Sequence, residues 1–147
     1  MWEILTTRLK SLLENNTLIA NTYTFEASEL SGTPIATLTP SANDNEYTTT
    51  TENTRVYAFM LRLYVNRASG EDNEQVTEEA MRQLVDDVLD DLDKNHRLSS
   101  LGSKTGYQFL FLEAAPSLWG YAGRENIYRV AEINIRCHFA VDINLIA

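Results

Sequence analysis

The stretch Thr48–Val65, TTTTENTRVYAFMLRLYV, contains neither glycine nor proline and consists almost wholly of residues that favour extended chain. A strand that begins near Thr51 and runs to Val65 is longer than the usual five or six residues, roughly the modal strand length. Alternation puts Tyr57, Phe59, Leu61, Leu63 and Val65 on one face and Val56, Ala58, Met60, Arg62 and Tyr64 on the other. The first set predicts a core packed on helices. The second is neither clean core nor clean surface, so the question for the fold is what it touches.

Working outward, Trp2, Leu5, Leu9, Leu12 and Leu13 form a stripe at helical spacing that ends at Asn15-Asn16. Thr17–Glu26 is rich in Thr, Ile, Tyr and Phe, and Ile19, Tyr23 and Phe25 predict a strand. Ser31-Gly32 turns into a short strand over Thr33–Thr39, fenced by Pro34 and Pro40 and therefore expected at an edge, because proline cannot donate to a central ladder. Ser41–Tyr47 (SANDNEY) is polar and turn-rich and predicts a loop. After a link over Ser69–Asn73, EQVTEEAMRQLVDDVLDDLDKN gathers Met81, Leu84, Val85, Val88, Leu89 and Leu92 in one helical arc. Asp72 or Thr77 is the expected cap, and Asn95 with the loop through Gly102 and Gly106 the expected end.

Tyr107–Ala115 and Asn126–Ile143 then predict two strands joined by PSLWGYAG, a hairpin with an aromatic tip. In the last strand the odd positions from Ile127 to Ile143 are apolar apart from Arg129, and the even positions are largely polar. The order helix, strand, strand, strand, helix, strand, strand predicts an α+β fold: a mostly antiparallel sheet of about five strands with two helices packed on one face. No repeat or long linker divides residues 1–147, which are expected to form a single domain.

Composition narrows the function classes. Twenty-one acidic against twelve basic residues give a net charge of -9, the wrong sign for sequence-independent attraction to phosphate backbones. The N-terminal MWEILTTRLKSLLENN lacks a basic start and a sustained apolar run, and nowhere do enough apolar residues occur together to cross a membrane, so a soluble chain that is not exported is expected. Cys137 is the only cysteine, which excludes an intramolecular disulfide and a cysteine-based zinc cluster. Asn15-Asn16-Thr17 matches a glycosylation acceptor, to which the missing secretory signal gives no weight.

Asp86, Asp87, Asp90, Asp91 and Asp93 are the obvious metal or acid–base candidates. On a helical wheel Asp86, Asp90 and Asp93 lie opposite the apolar arc, which predicts a solvated face and no metal site. Cys137 and His138 look like a nucleophile and its base, but neighbouring strand residues point to opposite faces of a sheet. His96, with Lys94 and Arg97, reads as a cation at a helix C-terminus. With no phosphate loop, nucleophile elbow or paired histidines, the residues predict no enzyme, no catalytic group and no cofactor. Two features ask for a partner: the aromatic segment Leu118, Trp119, Gly120 and Tyr121, and the mixed sheet face with Met60, Tyr64, Val130 and Ala140.

The N-terminal amphipathic helix, the stretch TYTFEASELSGTPIATLTPSANDNEY, the phrase TENTRVYAFMLRLYV, the helix ending LVDDVLDDLDKN and the alternating YRVAEINIRCHFAVDI follow one another in an order that resembles tail terminator (tail completion) proteins of long-tailed bacteriophages. The likeness spans nearly the whole chain and lies in order, length and texture, since that family carries no catalytic signature. It implies a non-catalytic virion protein, assembled in the host cytoplasm, that forms a homo-oligomeric ring, a hexamer, in the neck. Such a ring ends growth of the tail tube, joins the tail to the head–tail connector or stopper protein, and lets DNA pass without specific binding. The candidate interface is then Asn45, Tyr47 and Thr49 from the Ser41–Asn53 segment, Met60 and Tyr64 from the second sheet face, and Leu118, Trp119 and Tyr121. A small oligomeric binding module, or another head–tail neck connector without catalysis, would use the same residues.

Overall fold

The computed structural model describes residues 1–27, 30, 32–67 and 71–146, with the side chains of 71–73 excluded. Helix α1 (Trp2–Glu14) is followed by strands β1 (Asn21–Tyr23), β2 (Ile35–Tyr47) and β3 (Glu52–Asn66), helix α2 (Glu71–Lys94), and strands β4 (Tyr107–Ala122) and β5 (Tyr128–Asp142). One five-stranded sheet has the order β1-β2-β3-β5-β4. Only the β1–β2 pair is parallel. This is the expected α+β architecture, and β3 is its central strand.

The odd positions of β3 and β5 meet both helices. Leu5, Leu9, Leu12 and Leu13 of α1 and Met81, Leu84, Val85, Val88 and Leu92 of α2 share one core with Phe59, Leu61, Leu63, Ile133, Ile135, Cys137 and Phe139. Trp2 closes its lower end, edge-on to Tyr57 at 4.9 Å and to Phe59 at 5.1 Å between ring centres. Phe59 and Leu61 are fully buried, each contributing about 1.5–3 kcal/mol by leaving water. Asn16, 5% exposed, ties the helices together: its Nδ2 donates to the carboxylates of Asp87 (2.9 Å) and Asp91 (2.8 Å), while its Oδ1 accepts from the Leu18 amide.

Several elements differ from their sequence reading. The Thr33–Thr39 strand is not at an edge: Ile35–Thr37 of β2 pair with β1 on one side and β3 on the other, and Pro34 falls just before the strand while Pro40 sits at its bulge. Ser41–Tyr47 is strand, not loop: β2 continues through it and pairs with β3 as far as Tyr47 opposite Asn53, with a bulge between Pro40 and Ala42. An exposed edge strand needs no apolar side chains if its neighbour supplies the ladder. PSLWGYAG is not a hairpin tip. β4 absorbs Pro116 in a bulge and runs on with Trp119 opposite Ala131 and Tyr121 opposite Arg129, the turn falling at 123–127 with Gly123 at φ 81°. The strand expected over Thr17–Glu26 shrinks to Asn21–Tyr23, since Asn16 and Ile19 are committed to the helical layer. Helix α2 begins at Glu71, so Thr77 lies inside it and cannot be its cap; the Asp72 side chain, Ser31 and the Ser69-Gly70 part of the expected link lie outside the described residues.

Candidate functional site

Neither helix covers the even-numbered face of β3 and β5, and this face divides into two zones. At the upper end, near Asn66 and Tyr128, the chain after β1 folds over it. Ile35, Tyr64 and Val130 are buried there with Tyr23, Leu30, Ala122 and Tyr128 packed on them. The Tyr128 hydroxyl donates to the Leu30 carbonyl at 2.9 Å. Arg62 bridges Glu132 (3.0 Å) and Glu26 (2.5 Å), and the hydrogen bond to Glu132 is the largest cause that raises its pKa. Burial pushes the Tyr64 phenol up, and the Glu26 charge adds to it. Tyr64 is thus held in a small second core of the chain's own making.

From Met60 down to Thr54 the same face is open. Val56 and Ala58 are 8% and 6% exposed although no helix or strand among the described residues lies over them. Phe111, 43% exposed, stacks on His138 at 4.2 Å and 16° between ring planes. Glu113 reaches His138 Nε2 (3.0 Å) and Arg136 (3.4 Å), and Arg136 continues to Asp44 (3.2 Å) on β2. Buried Val56 and Ala58 beside the exposed Phe111 ring, rimmed by paired charges, have the composition of an interface core and rim.

The sheet edge beside that face is unpaired. β1 ends at Tyr23 opposite Thr37, so the half of β2 beyond Thr39 has β3 on one side and no strand on the other among the described residues. Thr48 N–H donates to the Glu52 carbonyl (3.1 Å), and the two-residue alternation then points the backbone N–H and C=O of Asn43, Asn45 and Tyr47 away from β3. The turn is preorganised: Thr49 Oγ1 accepts from the Thr51 (3.2 Å) and Glu52 (3.0 Å) amides. Asn45 Oδ1 accepts from Asn53 Nδ2 at 3.0 Å, and Tyr47 is 67% exposed at the end of the strand. Such an edge is a template for strand addition unless charge or a partner covers it.

The aromatic segment lies on the other side of the sheet. Trp119 and Tyr121 flank Arg129, whose guanidinium lies 5.6 and 4.7 Å from their ring centres. Arg129 is ion-paired with Glu78 of α2 and donates Nη1 to the Gly120 carbonyl at 2.9 Å. The one charged residue on the apolar side of β5 is therefore a clamp between β4 and α2. Leu118, 60% exposed, alternates with Trp119 along β4 and so lies on the even-numbered face, where it lines a hollow with Arg62, Tyr64, Val130 and Glu132. The expected interface residues consequently form three separate groups: Asn45, Tyr47 and Thr49 on the hairpin, Met60 on the open face with Tyr64 and its neighbour Leu118 above it, and Trp119 and Tyr121 on the helix-covered side at the upper end of β4.

The catalytic candidates do not converge. Cys137 is buried and its thiol is pushed up to about 12 by burial, while His138 lies on the opposite face with Glu113. His96 Nδ1 lies 2.9 Å from the Asp93 carbonyl at the end of α2. Asp87 and Asp91 are turned to Asn16, Asp86, Asp90 and Asp93 are exposed, and no three metal-ligating side chains gather among the described residues. No described helix is long and apolar enough to cross a membrane. Arg55, with Tyr57 and Tyr107, is the grouping that sequence reading missed. Only the strand register, which brings β3 and the start of β4 to the same end of the helix-covered face, assembles it.

No protein-family model matches the chain, and no curated protein matches it in sequence. Among solved structures it is similar to a chain described as "Virion of native gene transfer agent (GTA) particle", with 16% identity and a TM-score of 0.47 over 92% of this chain and 94% of that one. A likeness at that level carries no argument about what this chain does.

Proposed function

We propose that the chain acts, as a single domain and without catalysis, as a structural virion protein: a ring, hexameric as in the family it resembles, at the head-proximal end of a phage tail tube. There it ends tube growth and joins the tail to the head connector or stopper protein. The observation that carries the proposal is the unpaired lower half of β2 beside an open, half-apolar sheet face. A ring needs two different, mutually complementary patches on each subunit. The hairpin with the open face supplies one, and the aromatic group on the helix-covered side supplies surface for another. Exposed Trp and Tyr around an arginine are the residue types that dominate binding energy at protein contacts.

The net charge of -9 fits a conduit that lets DNA slide, because a basic lumen would hold phosphates through counterion release. The test is mass photometry and negative-stain imaging of the purified protein with tail tubes of its source phage or prophage. Closed rings seated on one tube end, together with tubes of fixed length, are expected. A protein that stays monomeric and leaves tubes growing in its presence would overturn the reading.

A further inference from the structure

The lower end of the helix-covered face holds cations without a carboxylate. Arg55 donates Nε to Asn45 Oδ1 at 2.8 Å, and Nη1 to the hydroxyls of Tyr107 (2.7 Å) and Tyr57 (3.3 Å). Its guanidinium lies 5.6 Å from the Tyr107 ring centre, and Lys104 Nζ lies 4.6 Å from the same centre. Two cations therefore share one phenol ring, an arrangement whose mutual repulsion an anion would relieve. Burial raises the Tyr107 pKa, but the Tyr57 hydroxyl, Arg55 and Lys104 together outweigh it and the pKa is lowered, so negative charge is favoured at this point. Arg62, Arg67, Arg129 and Arg136 each have a carboxylate partner. Among the described residues Arg55 and Lys104 have none, and they differ from the other cations without an ion pair, Arg8, Arg82, Lys94, Arg97 and Arg124, in lying together over one phenol ring.

Through the sheet the charge reverses. Glu46 pairs in register with Thr54, and Glu52 with Asp142, which puts all three acids on the open, even-numbered face at the same end. All three are exposed, and none forms an ion pair among the described residues. We propose that Arg55 and Lys104, with the Tyr57 and Tyr107 hydroxyls, form a carboxylate site that takes Glu46 and Glu52 from the hairpin of a second copy. The two charge patches lie on opposite faces of one sheet end, so the contact is head-to-tail: each copy keeps one patch free for the next, and the chain of contacts ends only by closing. The site thereby names the contact that the ring reading, on which it rests, leaves open. Arginine suits it because Nη2, the one guanidinium nitrogen its own hydrogen bonds leave unused, can donate to an incoming oxygen while Asn45 and the two hydroxyls fix its plane.

The experiment is a charge-reversal cycle on the full chain, read by mass photometry as the concentration of half-assembly, with urea unfolding to show that each variant folds. Arg55→Glu, and separately Glu46→Arg with Glu52→Arg, should each raise that concentration about tenfold or more, and the combined variant should recover most of the loss. A second arm follows the Arg55 Nε–H NMR signal during titration with acetate, at protein concentrations below assembly. A saturable shift that is abolished by Lys104→Gln is expected. Rings that form equally well with Arg55→Glu would overturn this inference and leave the ring reading intact. A wild type that never assembles would overturn both, whatever acetate does. Saturable acetate binding with assembly indifferent to Glu46 and Glu52 would overturn the second copy as the occupant and leave an anion site for another source.

Discussion

Arg129 offers the sharpest test of the packing account, because the two halves of its ion pair should fail unequally. Its side chain is 13% exposed and that of Glu78 is 28% exposed. Breaking a fully buried pair by deleting one partner costs about 3–5 kcal/mol, whereas an exposed pair contributes about 0–1 kcal/mol. Glu78→Ala strands a nearly buried guanidinium, which retains the Gly120 carbonyl and the ring faces of Trp119 and Tyr121. An intermediate loss of about 2 kcal/mol follows, or a fall of roughly 4–8 °C in Tm for a chain of this size. Arg129→Met removes the charge that had to be desolvated and leaves Glu78 able to reach water, so about 1 kcal/mol or less is expected. Urea unfolding of both variants at matched slope gives the comparison. If Arg129→Met proves more than about 1 kcal/mol worse than Glu78→Ala, the ring and carbonyl contacts hold β4 to the helical layer and the reasoning from the carboxylate is wrong.

Phe59→Ala should cost about 3–5 kcal/mol, because the side chain is fully buried under Trp2, and calorimetry would show it; a loss below about 1 kcal/mol would mean that the helices collapse onto the sheet without it. Cys137 should resist a thiol reagent in native protein and react only on unfolding. Since its folded pKa of about 12 lies above the ordinary 9, its stabilising effect is complete below pH 9 and is lost as pH rises towards 12, and rapid native labelling would contradict the burial. Asp86, Asp90 and Asp93 replaced together by Asn should leave Tm and assembly unchanged or slightly improved, by relief of like-charge repulsion on α2, and EDTA should do nothing; a marked fall in Tm with EDTA would restore a metal site.

The elements that could be read in the sequence are those whose side chains carry the packing. The heptad-like arc of α2 and the alternation of β5 each face one core, so period alone reports them. Ser41–Tyr47 carries no such mark: it is strand because β3 offers a ladder, and its side chains all face water. Pro116 and Gly120 read as turn residues, yet an outer strand with bulges accommodates both, since its unpaired side does not require the proline to donate. Of the candidate site, the exposure of Trp119 and the mixed second face were legible from residue type. The cover that Tyr23, Glu26 and Leu30 lay over Tyr64, and the meeting of Arg55 with Tyr107 across 52 positions, depend on register and on a crossing of the chain that no local pattern encodes.

Two electrostatic forces act on assembly in opposite senses, and their ranges decide how it responds to salt. Each copy carries a net charge of -9, and copies repel through solvent over distances set by the Debye length, about 30 Å at 0.01 M and about 8 Å at 0.15 M. A carboxylate seated on Arg55 would lie within hydrogen-bond distance and behind the Tyr57 and Tyr107 hydroxyls, where screening only becomes strong as the Debye length falls to about 3 Å near 1 M. Salt therefore removes the repulsion first and the attraction later. Assembly should improve from low salt to roughly physiological strength and weaken again towards about 1 M. Measuring half-assembly by mass photometry across that range separates the two forces. A continuous improvement up to molar salt would show that apolar burial alone holds the copies together, and a continuous decline from the lowest salt would show that net repulsion never mattered. With Arg55→Gln the rise should survive and the later fall should flatten, because only the second depends on the seated carboxylate.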